Sequence, residues 1–557
     1  MTIAQAINPW QDLIQTCVLG SGRRHAQIRA SGALGALISD LQNNEDLQNN
    51  DHLQQNPGGQ SGTKTSEEEK ILIALTATSL ALRAGQVTGR ATDLPPPPPP
   101  CQAETKEQCG PYAIALLNQA LADEAKGGDL RRIPLVQDWL TFCRSENKVI
   151  VSDYLPRLLD FAKERESLHQ LLADCGGNHF LWLLHLNKEW QEAYEAIAGT
   201  APSQDALLEK VELGLDLERF KAFGTLREIA PLKALNCLVG LWEKESYEQK
   251  LGLLKLLKSG LSMDDERFLE ETALSDRRKE VRAAAAFLLA LLPQSRLVTR
   301  MKERAECFVR FGKDKKLKIN FPDEFQPSMA QDGIEETITI DSRIGQKAGW
   351  LYQTVSLVNP DFWQEYSGFS AGAFLQLVLA SEEWSLPMLL GLLNATAQYH
   401  DQAFQDSIIA HQEIHLTESQ PGKLFLSSLP PEKLERLILG KLPIWAQTDR
   451  RSAPRLDLWY YLELVDFQWS EAFSIEILRF IIKEIKEKVP VFGHTFYSNA
   501  AKFGQHMHVG AGKYLDDLNL AQAEVDTWTR NGLERFVDTL KLRNEMYMSF
   551  KSTTGTN

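Results

Sequence analysis

The chain has 557 residues, a formal net charge of -14, 43% hydrophobic residues and seven cysteines. That length exceeds what one core usually supports, so two or more domains or one extended helical array are expected. The acidic balance argues against broad, sequence-independent nucleic-acid binding, which needs a basic face to neutralise phosphates. The cysteines, odd in number and without a CxxC pair, signal neither a disulfide framework nor a thiolate zinc site.

Near the start, MTIAQAINPWQDL lacks the basic opening and apolar core of a secretory signal. The longest apolar run, Ala283–Leu292, is too short to span a bilayer. The expectation is a cytoplasmic protein with no membrane partner. Trp10, Leu13, Ile14, Cys17 and Val18 fall on one stripe of a first helix, which Gly20 can end in a left-handed conformation. The following GSGRR is a helix stop, because a phosphate loop needs a longer motif between a strand and a helix. Residues 42–66 are rich in Gln, Asn, Gly and Asp and read as a disordered insertion in an N-terminal helical region, 1–90. Ile71–Leu82 is helical. Pro95–Pro100 favours an extended polyproline rod, and 91–110 reads as a linker in which the rod is a spacer, with a PxxP-type ligand as the alternative.

Residues 111–310 carry helical periodicity, with Trp139, Trp182, Trp190 and Trp242 as packing anchors between successive helices. Leu261–Pro293 is the most informative stretch. Ser262 with Asp265 has the spacing of a capping box, and Asp276 is placed to cap a second helix carrying Val281, Ala284, Ala285, Leu288 and Leu292 on one stripe. The pairs Asp264–Asp265 and Glu270–Glu271 read as a solvated face, not as acid–base chemistry, which needs two carboxyls converging on a substrate. Between 311 and 343 the pattern changes: Leu317–Phe321 and Thr337–Ile340 have β-branched or alternating character between Pro322, Pro327 and Gly333, which predicts a small hairpin. A second helical domain is expected over 344–557, with helices at Leu386–Ala397, Leu434–Leu442 and Ile475–Lys488, the last stopped before Pro490. The fold class is therefore all-α: a HEAT-like solenoid or stacked helical hairpins with a small β-hairpin insertion.

Two groups of histidines bear on metal chemistry. His411 and His415 lie on the stripe begun by Phe404 and Ile408 and read as packing residues, since HQEIH does not place a glutamate where a zinc protease needs its base. His494, His506 and His508 sit in GHTFYSNAAKFGQHMHVG, a segment read as loop-rich or broken helix, where an HxH pair with a third ligand could hold a metal. They are the candidate metal ligands, with aromatic-rich packing as the competing reading. No cofactor motif and no nucleophile motif such as GxSxG is present. Arg277, Arg278, Lys279 and Arg282 form the charged face opposite the apolar stripe and are the candidate partner contacts, or else internal ion pairs.

Three stretches, Trp10–Arg24, Asp265–Ser295 and Ile344–Trp363, resemble an uncharacterised bacterial domain family with HEAT-like helices. Members look like companions of MoxR-type AAA+ ATPases and von Willebrand A-domain proteins. The resemblance implies a role in a multiprotein assembly and supplies no catalytic residues. The expectation is a non-catalytic interaction scaffold partnering such an ATPase or von Willebrand A-domain protein. The alternatives are a HEAT-like nucleic-acid-acting enzyme, which needs a basic concave surface, and a metallohydrolase using the C-terminal histidines.

Overall fold

The helical periodicity of the sequence is realised in a computed structural model that is helical almost throughout, with one two-stranded antiparallel sheet among the described residues. These residues are 67–84, 98–122, 129–194, 203–312, 316–411, 413–447, 458–487, 494–518 and 525–551, with positions 13, 14, 16, 17, 36, 39 and 197. The Gln/Asn-rich segment, GSGRR and the first half of the proline run lie outside them. The chain divides into two units, Met1–Pro99 and Pro100–Asn557. In the first, helix α1 (Glu67–Ala84) buries Ala74, and Leu13 is buried in the same small cluster.

The second unit opens with α2 (Pro111–Ala122), α3 (Asp129–Ser145) and α4 (Glu166–Leu186). Their apolar faces form one cluster around Trp139 and Phe180. Then come α5 (Gln204–Leu213), α6 (Asp216–Ile229), α7 (Pro231–Leu241) and α8 (Tyr247–Leu257). They lead through a mixed helical segment, Met263–Ala273, to α9 (Lys279–Ala290) and α10 (Arg296–Phe308). Each packs on its successors in order, α5 on α6, α6 on α7 and α8, α8 on α9, and α9 on α10. None of these helices can bury its stripe alone, so neighbours cover one another.

The capping box stands as read: the Ser262 N–H donates to Asp265 Oδ2 (2.9 Å), and Ser262 Oγ accepts from the Asp264 N–H (3.3 Å). Asp265, however, is not on a solvated face. It is 1% exposed and takes both Nη1 and Nη2 of Arg227 from α6, at 3.1 and 3.0 Å. The same guanidinium donates to the carbonyls of Leu257, Ser259 and Gly260 at the end of α8 and to that of Pro231. Carbonyls at a helix C-terminus have no intrahelical partner, and a cation there meets the negative end of the dipole. Glu270 is also withdrawn from solvent, bonded to Arg300 at 2.6 Å, while Asp332 joins Arg300 and Arg304 at 2.6 and 2.7 Å. Asp276 does not cap α9: it accepts from the Arg278 N–H at 2.9 Å, pairs with Lys250 at 2.7 Å, and the helix begins three residues later.

The hairpin pairs β1 (Val309–Phe311) with β2 (Leu317–Ile319), Val309 opposite Ile319. The predicted partner, Thr337–Ile340, is not a strand. β1 runs straight out of α10 and ends only six positions before β2 begins, with the Gly312 N–H donating to the Lys316 carbonyl (2.9 Å), whereas Pro322 and Pro327 separate β2 from the downstream run. Beyond it lie α11 (Gln346–Ser356), α12 (Ser385–Tyr399), α13 (Gln420–Ser428) and α14 (Pro431–Gln447). One cluster of buried side chains runs from Leu207 to Leu540.

The C-terminal part consists of α15 (Glu471–Lys486), α16 (His494–His506), a 3-10 segment Val509–Leu518 and α17 (Thr527–Lys551). α16 crosses α17 where Gly504 meets the Phe536 carbonyl: a Cβ on Gly504 would sit 2.8 Å from that oxygen. α17 then reaches back to α2 and α3, and Leu542, Met546 and Phe550 complete the first cluster. Arg543, 1% exposed, pins the return. Its Nε donates to Asp138 Oδ2 (2.7 Å), Nη2 to Asp138 Oδ1 (3.3 Å) and Gln468 Oε1 (3.0 Å), and Nη1 to the carbonyls of Gly504 (2.9 Å) and Met507. All five guanidinium protons are used.

Removing one partner of a buried pair costs about 3–5 kcal/mol because the other is left charged and dry. Arg543→Met is therefore expected to lower stability by that amount in urea unfolding. Asp138→Leu combined with Arg543→Met should cost less than Arg543→Met alone. A single-variant loss below about 1 kcal/mol would show that the pair does not hold the return.

Candidate interaction site

His494 and His506 begin and end the same helix, twelve residues apart, which separates them by roughly 18 Å at 1.5 Å per residue. The segment read as loop-rich is thus a regular helix followed by 3-10 turns. His508 Nδ1 accepts from the Gly510 N–H at 3.1 Å. The His506 carbonyl accepts from Trp469 N–H (2.7 Å) and Gln468 Nε2 (2.6 Å), so this end of α16 belongs to the Arg543 junction. Burial pushes the His506 ring down to about 4, helped by the nearby charges of Lys502 and Arg543. No group of three or more His, Cys, Asp or Glu among the described residues is placed to hold a metal ion. His411 and His415 do not continue the stripe of Phe404 and Ile408: that helix ends at Ala410, leaving His411 half-buried and His415 exposed.

Most of the candidate partner contacts are engaged within the chain. Lys279 pairs with Glu335 at 2.9 Å. Arg282 Nη1 donates to the carbonyls of Asp276 and Arg277 at 2.9 and 3.2 Å. Arg278 stands over the Tyr247 ring, 5.3 Å from its centre, and Arg277 is exposed. The face is therefore half spent on internal structure, which leaves Arg277 and the outer side of Arg278 for a partner.

The sequence reading missed a site at the junction of α5 and α6. Leu213, Leu215 and Leu217 are 78, 79 and 83% exposed. Gly214 and Leu215 are both extended, at φ/ψ of -71/169° and -72/156°. The three leucines thus fall within five residues at the corner between α5 and α6, one ending α5, one in the extended connection and one in the first turn of α6. Around it, residues 204–218 hold Asp205, Glu209, Glu212, Asp216 and Glu218 against the single base Lys210. The corner is held rigidly: Arg219 bonds Glu245 through both Nη atoms and donates Nε to the Val211 carbonyl (2.7 Å), and Asp216 accepts from Gln249 Nε2 (2.8 Å). Gln249 lies two residues beyond Tyr247, the ring under Arg278. The leucine corner and the exposed arginines thus occupy adjoining helix N-termini of α6, α8 and α9. The legible signal was the period-2 spacing of leucines across a helix-ending glycine, a pattern that suggests a buried strand and so conceals an exposed corner.

A family of unknown function (DUF5691) matches residues 12–550. No curated protein and no solved structure matches the chain. No helix among the described residues is long and apolar enough to cross a membrane.

His506 generates a pH dependence. The unfolded ring, with its ordinary value of 6.5, binds a proton before the folded one at about 4. Stability is therefore fully present above pH 6.5 and is lost as the pH falls towards 4, by at most about 3 kcal/mol. His506→Gln should flatten that part of the curve of unfolding free energy against pH, and an unchanged slope would contradict the assignment. For the corner, Leu213→Ser, Leu215→Ser and Leu217→Ser together should leave the thermal midpoint nearly unchanged, as exposed substitutions shift stability by about 0.5 kcal/mol or less each. A collapse of the midpoint would mean that the leucines are covered.

Proposed function

We propose that this chain, which belongs to the DUF5691 family, is a non-catalytic protein-interaction scaffold. The observation that carries the reading is the leucine corner, three large apolar side chains about four-fifths exposed on a rigid, hydrogen-bonded junction. Apolar surface is costly in water, and three large exposed apolar side chains within five residues of a braced junction support a contact surface for another macromolecule. Helices that pack on their sequence neighbours from α5 to α10 support a HEAT-like array, in which rows of helix termini form an extended docking edge. Arg277 and Arg278 extend that edge beyond the leucines, with Lys279 and Arg282 bracing it from within. As the partner we infer a MoxR-type AAA+ ATPase or a von Willebrand A-domain protein of the same assembly. Binding rests on burial of the leucines with charge complementarity around them.

Tagged full-length chain, crosslinked in its native host and purified at gentle salt, should enrich such an ATPase or von Willebrand A-domain protein over a tag-only control. The Leu213→Ser, Leu215→Ser, Leu217→Ser variant should reduce that enrichment at least about tenfold, the effect of losing about 1.4 kcal/mol of docking energy. Failure to enrich either class overturns the proposal.

A further inference from the structure

We propose that Cys109 and Cys143 form an oxidation site, at which a peroxide converts two thiols to a disulfide that latches the segment 101–110 onto α3. This is where the chain enters the second unit, and the proposal does not depend on the leucine corner. The cysteines are free thiols in this structure. Cys109 Sγ and Cys143 Sγ, 34 positions apart in the chain, lie 3.4 Å from one another in the interior. A disulfide needs about 2.05 Å, so closing the pair takes a displacement of little more than an ångström. A single buried cysteine packs as a small apolar residue and carries no chemistry by itself. Two sulfurs already in contact, from segments far apart in sequence, do.

Residues 101–110 run as a strap outside any helix, and Cys109 is the one residue in it that is buried. The strap is tied down on both sides of the thiol's approach. Asn178 donates its N–H to Glu104 Oε2 (2.8 Å) and its Nδ2 to the Ala103 carbonyl (2.9 Å). That contact lies at the kink of α4, where Gly177 has a φ of 59° and a Cβ would collide with the Glu104 carboxylate. Further on, Glu107 pairs with Lys148 at 3.3 Å, the Val149 N–H donates to the Glu107 carbonyl (2.9 Å), and the Cys109 N–H donates to the Val149 carbonyl (2.8 Å). These bonds hold the Cys109 side chain against α3. Beneath it, Cys143 Sγ donates to the Lys148 carbonyl and Cys175 Sγ to the Leu140 carbonyl, each at 3.2 Å. A thiol has one proton. With that of Cys143 engaged, Cys109 is the donor in the sulfur–sulfur contact.

Cys109 is 4% exposed and Cys143 and Cys175 are 0%, so a small oxidant reaches Cys109 first. The hydrogen bonds with Cys109 and Cys175, and then burial, push the Cys143 thiol up, which keeps it protonated at neutral pH and leaves the first step to Cys109. Cys109 Sγ attacks hydrogen peroxide: the O–O bond breaks, and a sulfenic acid and one water form. Cys143 Sγ then attacks the sulfenic sulfur. The S–S bond forms, the S–O bond breaks, and the departing hydroxide takes the Cys143 proton as a second water. Two thiols give up two electrons, which the peroxide accepts. The new bond closes a ring around α2 and most of α3, including Asp138 and Trp139. Such a ring restricts the unfolded chain, so the oxidised form is the more stable one.

The test treats the reduced, folded full-length chain with a concentration series of hydrogen peroxide, alkylates the remaining thiols in denaturant, and digests without reductant for mass spectrometry. The expected product is a pair of peptides joined through Cys109 and Cys143, two hydrogens lighter than their sum and released by dithiothreitol. The thermal midpoint of the oxidised wild type should rise by a few degrees, and the same treatment should not raise it in Cys109→Ala or Cys143→Ala. Circular dichroism establishes that each variant is folded, and the wild-type crosslink decides the matter if one is not. Full alkylation of both Cys109 and Cys143 at peroxide concentrations that oxidise the exposed Cys307 overturns the proposal. So does a disulfide between Cys143 and Cys175 in place of the predicted one, or a crosslinked wild type whose midpoint does not move.

Discussion

The second unit depends on one buried guanidinium. Arg543 joins residues 405 positions apart in the chain, and its five donors are shared between the Asp138 carboxylate, the Gln468 amide and two carbonyls at the end of α16. Leu542, Met546 and Phe550 provide much of the attraction around it, at about 1.5–3 kcal/mol for each fully buried side chain. That attraction is non-directional. The arginine determines where α17 lands on α3, because any other register strands a buried charge, a carboxylate and two carbonyls together. Arg227 repeats the device locally: a guanidinium inserted beneath a helix C-terminus and paired with the carboxylate that starts the next helical segment. Both arginines satisfy orphan carbonyls that sequence-neighbouring groups leave bare.

How far each part was legible follows from the range of the interactions that make it. The helices at Leu261–Pro293, Ile344 onward and Ile475 onward follow from periodicity and caps, which are local, and Ser262 with Asp265 was readable for the same reason. That Asp265 is buried was not, since its partner Arg227 lies on another helix 38 residues away. Thr337–Ile340 has strand-like residues without a strand, because β2 found a nearer partner in Val309–Phe311. His494, His506 and His508 illustrate the limit from the other side. The segment reads as loop-rich or broken helix, and the helix through it places the first two histidines at opposite ends.

The leucine corner escaped notice because hydrophobic residues are read by default as core. Leu213, Leu215 and Leu217 have the composition of a buried strand and the exposure of a ligand. Local ties make that exposure sustainable: Arg219 to Glu245 and Gln249 to Asp216 fix the junction so that the leucines cannot fold inward. The basic face of α9 shows the opposite economy, with charges that looked available largely spent on Glu335 and on backbone carbonyls. Exposure together with local bracing, more than charge along the sequence, sets the α5–α6 junction apart from the basic face of α9.

Native-state hydrogen exchange tests the central claim most directly. If Arg543 and the apolar side chains around it lock the return of α17, the amides of Leu540, Arg543 and Met546 should open with the same free energy as those of Leu135 and Trp139 in α3, as one cooperative unit. Exchange of α17 at a distinctly lower free energy, with α3 still protected, would contradict the account: the return would then be a loosely docked tail, and the buried arginine a bystander.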